Sequence, residues 1–144
     1  MFAIVTNSKH HMNTYLNNIK DLPKTSSPYS SGIIAEGKFL FISGQGPFDP
    51  KVGNFVRGSI AEQTTLTLEC LQRVIAEAGA DIGDITNCRV FLQQLTEKNF
   101  AEMNEAYAAF FSGNKPTRTT IGCQLLNIDV EIDCIVRLPC SAPE

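Results

Sequence analysis

The sequence predicts an α+β domain in which two helices pack on one face of a mixed six-stranded sheet. Two stretches, 60–78 and 97–111, repeat apolar residues at helical spacing behind good N-cap residues. Five others alternate or run apolar over strand lengths, with a sixth strand near residues 15–19. Two helices cover one face of such a sheet, yet several strands are apolar on both faces. The second face is therefore expected to bury itself against copies of the chain.

The first eleven residues read as an extension, with Met12 as an alternative start, and residues 12–144 as one domain. His10 and His11 lie adjacent on this polar tail and supply no fixed metal geometry. Residues 22–32 are a Pro/Ser loop. Strands are expected over 32–36 and 38–43, joined through Gly37 as a hairpin. Residues 44–53 carry three glycines and two prolines and read as a shaped loop.

The first helix opens with Ser59 as N-cap and Glu62 as the second half of a capping box. Ile60, Thr64, Leu68, Leu71, Ile75 and Ala78 share one face, and Gly79 ends it. Residues 86–92 alternate, with Cys88, Val90 and Leu92 on one side. Thr96 caps a second helix whose Phe100, Asn104, Tyr107 and Phe111 form a stripe beside Met103 and Phe110. Gly113 terminates it. Residues 117–123 and 130–137 are the closing strands.

The bulk numbers remove several function classes. A net charge of -3 over 144 residues gives no clustered basic face for nucleic acid. No apolar run is long enough for a membrane span. The five cysteines include no Cys-x-x-Cys, and most of them read as small core residues in a reducing compartment, which points to the cytoplasm. Residues 32–38 open like a phosphate-binding loop, but Phe39 stands where a magnesium-binding hydroxyl is required. With both histidines in the tail, neither a Ser-His-Asp triad nor a Cys-His pair is expected.

The last two strands hold the chemistry. Residues two apart in a strand share a face, so Arg118, Thr120 and Gly122 lie together. The final strand presents Glu131 and Asp133 opposite an apolar Val130, Ile132, Cys134 and Val136 face. If the two strands are neighbours, an arginine and a carboxylate look across one polar patch. A guanidinium fork grips a carboxylate ligand with two parallel bonds; the bland alternative is a structural ion pair. Tyr29 is an aromatic in a Pro/Ser loop, where packing gives it less reason to be.

Several segments in one order resemble the reactive intermediate deaminases, the RidA or YjgF-like family. They are Ser27-Pro28-Tyr29-Ser30, Ser43-Gly44-Gln45-Gly46-Pro47-Phe48-Asp49-Pro50, Glu62-Gln63-Thr64, Glu77-Ala78-Gly79-Ala80 and Val90-Phe91-Leu92. Phe100 to Tyr107, Lys115-Pro116-Thr117-Arg118 and Val130-Glu131-Ile132 complete the match, which runs from about residue 12 to 138. The resemblance implies a homotrimer of chorismate-mutase-like topology with sites in clefts between subunits. By position, Arg118 would clamp the substrate carboxylate and Glu131 would hold the attacking water. Tyr29, Ser43, Gly44, Asn104 and Thr120 would line the pocket.

The implied reaction is hydrolysis of 2-iminopropanoate, its enamine tautomer 2-aminoacrylate and 2-iminobutanoate to 2-keto acids and ammonia, without metal or cofactor. The implied ligand is a small 2-imino or 2-keto acid, with neither nucleic acid nor membrane as partner. A non-catalytic carboxylate or keto-acid sensor on the same fold is the alternative, and chaperone-like or translation-related roles are a third. Thr120 stands where many members carry cysteine, and the 119–130 stretch is shorter than usual and lacks a Leu-Pro step.

Overall fold

The computed structural model describes residues 13–24 and 26–140; the expected extension over 1–11 lies outside them. β1 (Thr14–Leu16) pairs antiparallel with β2 (Gly32–Ile34) as a separate two-stranded ribbon. β3 (Phe39–Gln45) does not fold back on β2, so the hairpin expected across Gly37 does not form. Gly37, at φ 127°, turns the chain out of the ribbon and into the main sheet. There β3 gains an apolar covering: Ile42 is buried and Leu40 packs against the core.

The glycine-proline loop contains a second small ribbon, β4 (Phe48–Asp49) with β5 (Asn54–Phe55), closed by an edge-to-face contact of Phe48 and Phe55 at 5.7 Å. α1 (Ile60–Glu77) begins at Ser59, whose Oγ accepts the Glu62 N–H at 3.1 Å. The Glu62 carboxylate lies over Gly58, where a β-carbon would leave it no room, so the expected capping box forms only in its Ser59 half. Gly79, at φ 74°, supplies the left-handed residue that ends the helix.

A single 3-10 turn (Ile82–Asp84) leads into β6 (Ile85–Leu92). α2 (Glu97–Phe110) follows its Thr96 cap, which accepts the Asn99 N–H at 3.1 Å. β7 (Thr117–Gly122) and β8 (Val130–Arg137) close the chain.

The main sheet has four strands, in order β3-β8-β6-β7, so the six expected strands are divided between this sheet and the β1–β2 ribbon, while β4 and β5 arise from the expected loop and the residues after it. It is mixed: β6 and β7 are parallel, and the other pairs are antiparallel. The parallel pair follows from strand–helix–strand order, because α2 is the crossover between β6 and β7. Both helices lie on one face. Leu68, Leu71 and Ile75 of α1, and Met103 and Tyr107 of α2, are buried with Cys88, Val90 and Leu92 of β6 and the alternate apolar residues of β8.

The opposite face is uncovered and partly apolar, with Phe41 73% and Ile121 41% exposed. Among the described residues, no helix is long and apolar enough to cross a membrane.

Candidate functional site

Arg118 is on β7, the edge strand next to β6. Its register partner is Cys88, whose own partner across β6 and β8 is Cys134. Cys88 and Cys134 belong to the buried core, so Arg118 points to the helix-covered side of the sheet. The start of β7 is tied down on two sides. Asn87 Nδ2 donates to Thr117 Oγ1 at 2.9 Å, and that hydroxyl donates to the Thr86 carbonyl at 3.0 Å. Ser30 bonds the Lys115 and Pro116 carbonyls, at 2.5 and 3.0 Å, which fixes the Pro/Ser loop and its Tyr29 against the same strand.

The guanidinium lies in an aromatic box. Its carbon is 4.9 Å from the Tyr107 ring centre, 5.7 Å from Phe100 and 5.8 Å from Tyr29. Nη1 approaches the Met103 sulfur at 3.9 Å. Burial lowers the pKa of Arg118, opposed by Tyr107, Cys88 and Tyr29; a guanidinium stays charged regardless. Among the described residues it forms no ion pair with a carboxylate.

Two neighbouring polar atoms share this condition. Thr120 follows Arg118 on the same strand face, and Asn104 is one turn from Phe100 on the α2 stripe. Thr120 Oγ1 and Asn104 Oδ1 are both shut off from solvent without a hydrogen-bond partner. Buried polar atoms left this way are rare and call for a reason. A cation without a carboxylate partner, beside aromatic rings, is chemistry suited to a small flat anion.

Glu131, Ser43 and Gly44 are elsewhere. Glu131 pairs in register with Phe91, on the uncovered face. Ser43 and Gly44 lie at the irregularity where the β3–β8 register slips between Ile42 and Gln45. The Glu131 carboxylate folds across Gly44. Its neighbour Asp133 is engaged by Arg89 through two bonds, Nε at 3.0 Å and Nη2 at 2.5 Å. Glu131 enters no ion pair among the described residues, which makes it the carboxylate left over on this face.

Two expectations are thereby corrected. β7 and β8 are not neighbours, since β6 runs between them. Arg118 and Glu131 also point to opposite faces of the sheet and share no patch within one chain. The structure brings Arg118 and Tyr29 together, with Thr120 on the same strand face and Asn104 on the α2 stripe, and sets Glu131 against Gly44 beside Ser43 on the other side of the sheet.

Two groups of residues escaped the sequence reading. Phe100, Met103 and Tyr107 were visible as a helix stripe, but nothing in their spacing said that an arginine would enter it. Gln63 is fully buried in α1 and reaches the loop before β8. Its Nε2 donates to Asp129 Oδ2 at 2.8 Å, and its Oε1 accepts the Asp129 N–H at 2.9 Å. A glutamine on the buried face of α1, beside Thr64 and Thr67, was the available signal.

Comparison with known proteins matches this chain to a family. The family model described as Endoribonuclease L-PSP matches residues 19–138, which include Arg118 and Glu131. A RutC family protein of Pyrococcus abyssi is 40% identical over 111 residues, covering 77% of this chain and 85% of that one. The fold matches the Rid-family protein YyfB of Yersinia pestis with a TM-score of 0.78 at 26% identity, over 88% of this chain and 98% of that one. This chain belongs to the Rid family. RidA of the Antarctic bacterium Psychrobacter sp. is a further Rid structure of the same fold, with a TM-score of 0.65 at 28% identity, over 81% of this chain and 93% of that one.

Proposed function

We propose that this Rid-family protein hydrolyses small 2-imino acids, 2-iminopropanoate and 2-iminobutanoate with their enamine tautomers, to 2-keto acids and ammonia. The reading places the reaction at clefts of a homotrimer, where Arg118 of one chain faces Glu131 of the next. The observation that carries it is the Arg118 guanidinium, half-buried between three rings and without a carboxylate of its own. Position on an edge strand supports the assembly, because β7 has one side unpaired. The uncovered apolar face that carries Glu131 supports it too.

The chemistry asks little of the protein. A protonated imine carbon is already electrophilic. Arg118 binds the carboxylate through its fork, at ~1.5–3 kcal/mol for each charge-assisted bond. Phe100, Tyr107 and Tyr29 hold the planar substrate, and Asn104 Oδ1 and Thr120 Oγ1 are available to its nitrogen and carboxylate. Glu131 orients a water and takes its proton as oxygen bonds to the imine carbon and the π pair moves to nitrogen. The carbinolamine then collapses: Glu131 passes the proton it took to the amine nitrogen, and the C–N bond breaks as NH3 departs. The hydroxyl proton is lost to Glu131 as C=O forms, leaving finally with ammonia as ammonium. Fixing water against the imine in attack geometry is the larger part of the acceleration.

An RNA-cleaving role, carried by the family model's description, is not favoured by a chain of net charge -3. The test is ammonia and keto-acid release from freshly generated 2-aminoacrylate, above the spontaneous rate. The parent protein accelerates it, and Arg118→Ala loses at least roughly a hundredfold in kcat/KM, two charge-assisted bonds' worth. Unchanged activity in Arg118→Ala contradicts the proposal. Calorimetric binding of 2-keto acids without turnover makes the protein a sensor instead.

A further inference from the structure

Gly44 is a residue whose need for glycine the backbone does not explain. Its φ is not in the left-handed region, which among the described glycines holds only Gly37, Gly53 and Gly79. Nor is it packed in the interior, since it is exposed. What a side chain there would displace is Glu131. A β-carbon on Gly44 would overlap Glu131 Oε1 and lie 2.9 Å from its Cδ and 3.1 Å from its Cγ. Ordinary carbon–carbon contact begins near ~3.5 Å, so the whole outer half of the glutamate occupies the space that any other residue would fill.

The β3 irregularity explains how the two come together. Ile42 pairs with Cys134 and Gln45 with Ile132, so three steps on β3 span two on β8. The extra residue bulges the strand and re-aims what it carries. Ser43 and Gly44 occupy this bulge beside the Glu131 end of β8. The Asp133 carboxylate, two residues further on, is held by Arg89. Glu131 has no such cation among the described residues; what limits where its carboxylate can go is the surface it lies across.

We propose that Gly44 is a positioning residue: the missing side chain in the β3 bulge is the seat that aims the Glu131 carboxylate. This differs from a pocket-lining role and rests on the reading of Glu131 as the water-holding group. Gly44→Ala pushes the carboxylate off its seat. Glu131→Asp, shorter by one methylene, withdraws from the new methyl group. Gly113→Ala is the control, because nothing lies within 4 Å of its β-carbon position.

The expected result with 2-aminoacrylate is a kcat at least tenfold lower for Gly44→Ala with KM little changed, and no change for Gly113→Ala. The double variant Gly44→Ala/Glu131→Asp is no slower than Glu131→Asp alone. Parental kcat in Gly44→Ala, or losses that multiply in the double variant, overturns the proposal. If Gly44→Ala fails to fold, Gly44→Ala/Glu131→Asp folds; a double variant that fails while Glu131→Asp folds also overturns it.

Failure of the deaminase reading is separable. In a parent without turnover, the side-chain carboxyl 13C resonance of Glu131 still moves in Gly44→Ala and not in Gly113→Ala if the seat exists. An unmoved resonance ends the proposal.

Discussion

At the scale of single residues, the environment of Arg118 also sets the chemistry of its neighbours. Cys88 is completely enclosed beneath it, and burial pushes the thiol up to about 12, although the Tyr107 hydroxyl and Arg118 pull the other way. The same desolvation raises Cys134 and Tyr107. A buried thiol of this kind is inert rather than nucleophilic, which agrees with reading it as core. The consequence is a pH dependence of defined sign. In the unfolded chain Cys88 ionises near its ordinary 9.0 and in the folded chain near 12. The fold favours the neutral form, so its contribution is complete below pH 9 and is lost as pH rises toward 12. Urea midpoints measured across that window should fall more steeply for the parent than for Cys88→Ala; parallel curves contradict the assignment.

At this scale the sequence was informative about side-chain type and face. The alternation that put Cys88, Val90 and Leu92 together is the buried face of β6, and Val130, Ile132, Cys134 and Val136 are all buried on β8. The stripe on α2 marks Tyr107 as core, which it is, but does not show that the ring is also a wall of the Arg118 box. Both roles need the same buried ring, so spacing alone cannot separate them.

At the scale of elements, the site depends on where β8 begins. Gln63 bonds the Asp129 backbone and carboxylate from within α1, and Arg57 adds a bond to Asp129 Oδ1 at 3.1 Å. Glu131 follows two residues later, so this clamp sets its entry. Gln63→Ala leaves the partly buried Asp129 short of a donor and an acceptor. A loss of ~1.5–3 kcal/mol in urea unfolding is expected for bonds to a charged group, with kcat reduced more than KM. A variant as stable as the parent would show that Arg57 alone fixes the loop.

Elements themselves were legible: both helices, both N-caps and the closing strands fall where periodicity and cap residues put them. Pairing was not. A strand that is apolar on both faces declares that it is covered, not by whom, which is why β3 was assigned to β2 and β7 to β8. The β6–α2–β7 crossover did contain the parallel pairing, because a helix between two strands returns the chain in the same direction.

At the scale of the whole molecule, a single chain carries Arg118 and Glu131 on opposite faces of one sheet. Arg118 has its walls but no carboxylate, and Glu131 has its seat on a face that leaves Phe41 exposed. Apolar surface of this kind favours self-association, and a closed ring would bring one chain's edge strand to the next chain's open face. In the proposed trimer every site would then depend on two chains.

The most direct measurement is subunit complementation between Arg118→Ala and Glu131→Gln. Each variant alone should be inactive toward 2-aminoacrylate. Refolded together in equal amounts and isolated at three chain masses by light scattering, they should recover roughly a quarter of parental activity, the share of interfaces that join an intact Arg118 to an intact Glu131. A mixture as inactive as its components would mean that the two groups never meet across chains, and the composite site would be wrong.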